Sequence, residues 1–335
     1  MNTISLGAGA QPFILQRQNA QLKTTLQQLS AEISSGVTSD PGKTLSGNFN
    51  PLGGIVQSLG ALGAYKTAAD MAGTVAAAQQ TALGAIDSSA SELATGLLTA
   101  SSGAQPVQLQ IIAQQSRAAL SNAIAQLNTR VAGRSLFSGT ATDQPAVSPM
   151  DDLLSQIQTA TAGQTTASGL EAAVRAWFQS ASGYAATAYH GSADPASPIP
   201  VAQGETATLG ATALNPAIAD TLAGLALGAM IDSPALQGNA SEQARLAASA
   251  GQSLLSGADA RTALSAGIGV VQAQISAART RNAAESSSLQ QAQSTMLATD
   301  PYATATQLQQ TQTQLQTLYA LTAQIASLSL SNYLK

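Results

Sequence analysis

The feature that most constrains this sequence is a long run without charge near its C-terminal end. Between Gln307 and Leu334 there is no Asp, Glu, Lys or Arg. Asp300-Pro301 precedes the run, and an N-cap residue followed by proline at the first helical position predicts that a helix begins here. Mostly apolar side chains then recur in steps that place them on one stripe of this helix: Leu308, Leu315, Leu318, Tyr319, Thr322, Ile325 and Tyr333.

A second helix of the same kind is predicted near the N-terminal end, from Phe13 to Ile33. Its apolar positions follow the same helical spacing, and Gly36 with Pro41 supplies the stop signal. These positions are Leu15, Leu22, Leu26, Leu29 and Ile33. The two ends of the chain therefore look like partners in a coiled coil, whether in the single chain or only upon assembly.

Long helices with a heptad pattern are also predicted between the two ends. One spans about residues 55–99, a second about 106–132, and the pattern returns from Ser241 onward. The repeat is cleanest in a set that alternates steps of four and three: Leu264, Ile268, Val271, Ile275, Ala278, Asn282, Glu285, Leu289, Ala292 and Met296. A sustained period of 3.5 residues implies helices that supercoil against each other.

The middle of the chain, about residues 140–235, loses this period. It is predicted to hold a short helix at 170–180, a proline-rich loop at 191–200, a hairpin within 201–214 and a helix from Asn215-Pro216 to Met230. The expected fold class is mainly α, an elongated antiparallel helical rod with a small inserted α+β domain. The segments are an N-terminal axial helix (1–44), two halves of the rod (45–140 and 239–298), the insertion (141–238) and a C-terminal axial helix (299–335).

Composition argues against several classes of function. The chain has no cysteine, which excludes disulfides and Cys-ligated metal sites. A net charge of -4 with 13 scattered Lys and Arg argues against nucleic acid as a partner. No apolar run reaches the roughly 18 residues of a membrane helix, so no membrane partner is expected. Residues 1–11 lack the basic and apolar regions of a cleaved secretory signal.

No residue pattern points to catalysis. His190 is the only histidine and has no second ligand at a metal spacing. Asp151-Asp152 precedes an apolar run, which is typical of a helix N-terminus. The glycine pairs at 7–9 and 53–54 lack the strand-then-helix context of a phosphate loop. We therefore expect no enzymatic activity, no cofactor and no metal.

Three stretches carry a resemblance to bacterial flagellins. Residues 29–36, Leu-Ser-Ala-Glu-Ile-Ser-Ser-Gly, resemble the end of their first conserved helix. Residues 133–140, Gly-Arg-Ser-Leu-Phe-Ser-Gly-Thr, resemble the motif that closes their N-terminal conserved half. Residues 328–334, Leu-Ser-Leu-Ser-Asn-Tyr-Leu, are similar to the ending of the hook–filament junction members of this family. The resemblance covers roughly residues 10–140 and 240–335.

The resemblance implies a structural subunit of the extracellular flagellum, exported by the flagellar apparatus without a cleaved signal. It implies terminal helices that order when neighbouring subunits supply their packing partners. The implied partners are identical subunits in a ring, the proximal hook-associated protein, flagellin and an export chaperone. The residues expected to carry assembly are Leu15, Leu22, Leu26, Leu29, Ile33, Leu308, Leu315, Leu318, Ile325 and Tyr333. Two alternatives stay open, a filament flagellin and a signalling coiled coil such as the cytoplasmic part of a chemoreceptor.

Overall fold

The structure, a computed structural model, describes the backbone of residues 7–333 and the side chains of residues 13–325. The described chain is mainly α, as predicted. The helices are α1 (Gly7–Ser35), α2 (Pro41–Thr44), α3 (Asn50–Gly103), α4 (Pro106–Leu127), α5 (Met150–Ala160), α6 (Ala167–Gln179), α7 (Tyr184–Thr187), α8 (Pro216–Ala229), α9 (Ala240–Ser256), α10 (Ala258–Met296) and α11 (Pro301–Tyr333). The strands are β1 (Arg130–Val131), β2 (Arg134–Ser135), β3 (Ile199–Ala202) and β4 (Glu205–Ala207).

The chain divides into two compact units. The terminal unit contains residues 1–62 and 283–335, and the central unit contains residues 63–282. Residues 141–238 thus fall in the same unit as the helical segments on either side of them. The division into five segments at 44, 140, 238 and 298 stays a prediction.

Within the central unit, α3 buries one side chain at alternating steps of three and four residues. The positions are Ala69, Ala72, Ala76, Gln79, Leu83, Ile86, Ala90, Leu93, Leu97 and Ala100. Small alanines at these positions let a neighbouring helix approach closely. Gln79 is the polar exception, and its Nε2 donates to the backbone oxygen of Leu136 at 2.8 Å. The heptad spacing therefore predicted the buried face of α3 correctly.

The N-terminal part of α10 runs antiparallel to α3 within this unit. Arg279 pairs with Asp70 at 2.9 Å, Gln80 donates to Ser265 at 2.5 Å, and Arg261 pairs with Asp87 at 2.6 Å. As the residue number increases along α3, the number of its partner on α10 decreases, so the two helices are antiparallel. This confirms the predicted antiparallel return of the C-terminal half for the part that lies in the central unit.

The core of the central unit is built around α8. Asn215 caps this helix by accepting from the backbone N–H of Ala217 at 3.0 Å, and Pro216 starts it, as predicted. Eleven of its 14 residues are buried, because α4, α6 and α9 pack around it. A helix that is apolar on nearly all sides needs such an enclosure, and its one charged residue, Asp220, is exposed. Among the described residues, no helix has the length and hydropathy to cross a membrane.

Two short hairpins correct the predicted elements. The helix predicted to 132 ends at Leu127 with Asn128 as its C-cap. Ala132 and Gly133 both take positive φ angles (51° and 78°) and turn β1 back onto β2. The hairpin predicted within 201–214 lies at 199–207 instead. In it Ile199 faces Ala207, and Val201 and Ala207 pack on Ala69, Ala72, Ile275 and Ala278 of α3 and α10.

Candidate assembly surface

The candidate site is the pair of helices formed by α1 and α11, which contact each other along their lengths in the terminal unit. Asp300 caps α11, since its Oδ1 accepts from the backbone N–H groups of Tyr302 at 2.9 Å and Ala303 at 3.2 Å. Gly36 ends α1 with a φ of 70° while its N–H donates to the oxygen of Glu32 at 2.8 Å. The start signal at Asp300 and the stop signal at Gly36, both predicted from the sequence, therefore define the beginning of α11 and the end of α1.

The structure places most of the predicted assembly residues in the contact between these two helices of one chain. Leu29 and Leu318 are buried, with 7% and 8% of their surface exposed. Five more are half-buried: Leu15, Leu22, Leu26, Leu308 and Leu315. Ile325 is also half-buried, Ile33 is 39% exposed, and the side chain of Tyr333 lies outside the described residues.

Two threonines complete this contact and were missed by a search for apolar residues. Thr304 and Thr311 are 4% and 7% exposed. Each hydroxyl donates to a carbonyl one turn back in its own helix, Asp300 for Thr304 and Gln307 for Thr311, both at 2.8 Å. With the hydroxyl satisfied, the methyl group can pack as an apolar group. The signal was present, since both threonines continue the steps of three and four set by Leu308, Leu315 and Leu318.

Large apolar side chains also remain exposed on both helices. Phe13 and Ile14 on α1 are 68% and 52% exposed, and Tyr302 and Leu321 on α11 are 83% and 48% exposed. Tyr319, placed on the apolar stripe by its spacing, is 45% exposed, because the helix turns it away from the Thr304–Leu318 row. Scattered exposed apolar side chains are common, but here they lie on helices almost free of charge.

A groove runs between α1 and α11. Its walls include Gln18, Leu22 and Thr25 of α1 and Gln314, Thr317 and Leu321 of α11. No charged side chain lines it among the described residues. Apolar side chains with Gln and Thr at their edges can accept another helix by packing and by amide hydrogen bonds. The surface of the α1–α11 pair therefore has the composition of a helix-packing surface.

The polar residues considered for catalysis have ordinary structural positions. His190 Nε2 lies 2.8 Å from Ser148 Oγ, and Asp151 and Asp152 sit in the first turn of α5. The glycines at 53 and 54 lie inside α3, which leaves no loop there to hold a phosphate. Among the described residues no group of three or more His, Cys, Asp or Glu side chains is arranged to hold a metal.

Among the described residues, the groups with shifted pKa values lie in the central unit. Burial raises the pKa of Tyr184 far above its usual value, and burial also raises the pKa of Tyr189 to about 12. A hydrogen bond from Lys66 is the largest cause that holds the pKa of Asp70 below its usual value. Each shift accompanies a structural contact, and none of these residues lies on α1 or α11.

The flagellin-like motif at 133–140 is part of the core of the central unit. Leu136, Phe137 and Ser138 are buried. The backbone oxygen of Phe137 accepts from the N–H of Ala213 at 2.9 Å, and that of Leu136 accepts from the Gln79 amide. This motif therefore joins the segment after α4 to α3 and to the segment before α8.

The C-terminal part of the chain is similar to a known protein family. Residues 252–334 match the model of the bacterial flagellin C-terminal helical region, a span that includes all of α10 and α11. A solved structure described as a candidate flagellar hook-associated protein from Vibrio parahaemolyticus is similar, with 14% identity and a TM-score of 0.48 over 72% of this chain and 93% of that chain. No curated protein sequence matches the chain. The chain is thus mainly α, and its C-terminal quarter is similar to the helical region that ends bacterial flagellins.

Proposed function

We propose that this protein is a structural member of the bacterial flagellin family and serves as the junction subunit between hook and filament. The observation that carries the proposal is the match of residues 252–334 to the flagellin C-terminal helical region. The flagellin-like stretches at 29–36 and 133–140 lie outside that span and support it independently, and a third stretch, at 328–334, lies within it. The last of these favours the junction subunit over a filament flagellin.

The proposed mechanism is geometric. The α1–α11 pair uses one narrow row of side chains within the chain and leaves apolar side chains such as Phe13, Tyr319 and Leu321 for neighbours. A ring of identical subunits would present one surface of these helices to the proximal hook-associated protein and another to the first flagellins. The absence of charge on α11 favours such packing, since no like charges repel between copies.

The proposed location is the extracellular flagellum, reached through the flagellar export apparatus with the help of an export chaperone. A subunit that crosses a narrow channel unfolded must refold outside, and a chain without cysteine cannot form wrong disulfides there. The central unit has a large hydrophobic core around α8 and a smaller cluster around the β3–β4 hairpin, and we expect it to be the part that refolds without a partner.

The deciding experiment is deletion of the gene, with electron microscopy of the cells and an assay for flagellin in the medium. We expect bare hooks and flagellin shed into the medium. Filaments that stay attached but are shorter or fewer would favour a filament subunit. Cells with unaltered, rotating flagella would exclude any axial role.

Complementation of the deletion with variants tests the terminal helices. We expect that Leu321→Asp, which puts a charge on the exposed face of α11, fails to restore filaments. Val107→Asp, at a residue 68% exposed in the first turn of α4, is the matched control and is expected to restore them. Loss of the last 20 residues should also abolish assembly while the central unit stays folded, and normal assembly of that truncation would contradict the proposal.

A further inference from the structure

The long helices α3 and α10 are buried along only part of their lengths. Among the residues of α3 that precede Ala69, only Leu62 is buried, whereas Ala69 has no exposed surface. On α10, Asn282 is 7% exposed, and none of the described side chains at 283–296 is buried. The two changes occur at the same level, because Arg279, just before Asn282, donates to the backbone oxygen of Ala69 at 3.0 Å. Beyond this level the helices gain little from packing, and a helix without packing is marginal in water.

The β3–β4 hairpin lies at the level where burial of the two helices begins. It forms a small hydrophobic cluster with them, separate from the larger core around α8. The buried members of this cluster are Val201 and Ala207 of the hairpin, Ala69 and Ala72 of α3, and Ile275 and Ala278 of α10. Because each element contributes to the cluster, the hairpin covers the α3–α10 pair as a third layer at this end of the central unit.

Polar side chains of α10 hold the hairpin in place. The amide of Asn282 donates to the backbone oxygen of Val201 at 2.7 Å. Glu205 forms an ion pair with Arg281 and accepts from the amide of Gln274 at 3.3 Å. Asn282 lies on the heptad row of α10, where an apolar side chain would be expected in a pair of helices alone. If the hairpin moved away, this buried amide would lose its partner, and an unpaired buried donor is costly.

We propose that the β3–β4 hairpin is a clamp that stops local unfolding of α3 and α10 from spreading into the central unit. A helix unfolds from an unpacked part by losing one turn after another, and each of these steps costs little. At the hairpin the next step also opens the small cluster and breaks the bond between Asn282 and Val201, so unfolding stops there. The outer parts of both helices can then change conformation while the core around α8 stays packed. This role lies within the central unit and does not depend on the proposed place in the flagellum.

Amide hydrogen exchange of the full chain, resolved by segment, tests the clamp. Val201→Ala removes two buried methyl groups from the hairpin and should make the amides of residues 69–76 and 275–282 exchange about tenfold faster. The amides of residues 86–100, in the larger core, should keep the rates of the parent. Thr206→Ala is the matched control, because threonine has the shape of valine and this residue of the hairpin is exposed. We expect it to leave all three segments unchanged.

A second variant, Asn282→Ala, separates the clamp from helix propensity. Alanine favours a helix more than asparagine does, so propensity alone predicts slower exchange in α10, whereas loss of the bond to the hairpin predicts faster exchange at 69–76 and 275–282. Unchanged or slower exchange there in both variants would overturn the proposal. Equal acceleration at 86–100 would also overturn it, since the hairpin would then stabilise the whole core. A variant that fails to fold, as seen by the fluorescence of Trp177, counts as this second outcome.

Discussion

Helix α8 in the central unit and helix α11 in the terminal unit bury their residues in opposite ways. Eleven of the 14 residues of α8 are buried. Of the described side chains on α11, only Thr304, Thr311 and Leu318 are buried, and the neighbouring row of α1 contributes Leu29. The first helix is enclosed by its own chain, and the second has one narrow contact within it.

This difference indicates that the central unit provides the stability of the chain, while the proposed assembly depends on α1 and α11. Full burial of one Leu contributes roughly 2 kcal/mol, so the enclosed core around α8 can hold the central unit together without a partner. An isolated helix pair with a few buried side chains is marginal by comparison, because helices gain most of their stability from packing. The terminal helices thus leave apolar surface uncovered within the chain, and this is the surface that the proposed assembly would use.

The comparison is tested most strongly by one substitution made in both regions. Leu222→Ala on α8 removes a side chain that is 1% exposed and should lower the free energy of unfolding by about 2–5 kcal/mol. Leu318→Ala on α11 removes the same atoms and should change it by less than about 0.5 kcal/mol. Urea unfolding followed by the fluorescence of Trp177, the single tryptophan, reports on the central unit.

The contradicting result is an equal shift of the Trp177 transition in both variants. It would mean that the α1–α11 contact unfolds together with the core and that the two regions are one cooperative unit. Leu318→Ala should still weaken assembly. A loss of assembly without a change in the Trp177 transition is therefore the pattern that supports the separation.

A smaller effect is expected at a close contact inside the core. A Cβ on Gly228 of α8 would lie 2.9 Å from Ser116 Cβ and 2.5 Å from Ser116 Oγ. Gly228→Ala should therefore destabilise the protein by about 1–3 kcal/mol, although alanine favours a helix. Gly84→Ala is the matched control, because this helical position of α3 has open space around it and should gain up to about 1 kcal/mol. The same sign at both sites in urea unfolding would contradict the packing of α8.

The sequence was sufficient to predict the parts of the fold that depend on local signals. Asp300-Pro301 and Asn215-Pro216 start helices where expected, because N-caps and proline act within one turn. The buried row of α3 follows from its period, because that row lies on a single face of one helix. The apolar positions on α1 and α11 were also found in this way.

Contacts between distant segments could not be predicted from such signals. Nothing near Gln79 shows that its amide bonds to Leu136, since the partner lies far along the chain. Thr304 and Thr311 were overlooked because burial was sought mainly among apolar residues, and the one threonine placed on the stripe, Thr322, is exposed. The β1–β2 turn was missed because Ala132, a helix former, takes a positive φ there. At the candidate site, spacing identified the row of residues, but whether they meet within one chain or between chains depends on the partner helix.

The smallest predicted effect concerns pH and sharpens the same contrast. Tyr189 is 5% exposed, its hydroxyl donates to the backbone oxygen of Ser192 at 2.8 Å, and burial raises its pKa to about 12. In the unfolded chain a tyrosine ionises near pH 10. The stability that the neutral, buried phenol contributes is therefore complete below about pH 10 and is lost as the pH rises through about 12.

Tyr189→Phe should cost about 1 kcal/mol at pH 7, where it removes one hydrogen bond, and should lose less stability than the parent between about pH 10 and 12. Tyr302→Phe is the matched control, since that phenol on α11 is 83% exposed. Urea unfolding at a series of pH values, followed through Trp177, measures both slopes. Equal slopes in the parent and in Tyr189→Phe would mean that the phenol reaches water before the central unit unfolds. The enclosure that distinguishes the central unit from the α1–α11 pair would then be looser around Tyr189 than the buried side chains indicate.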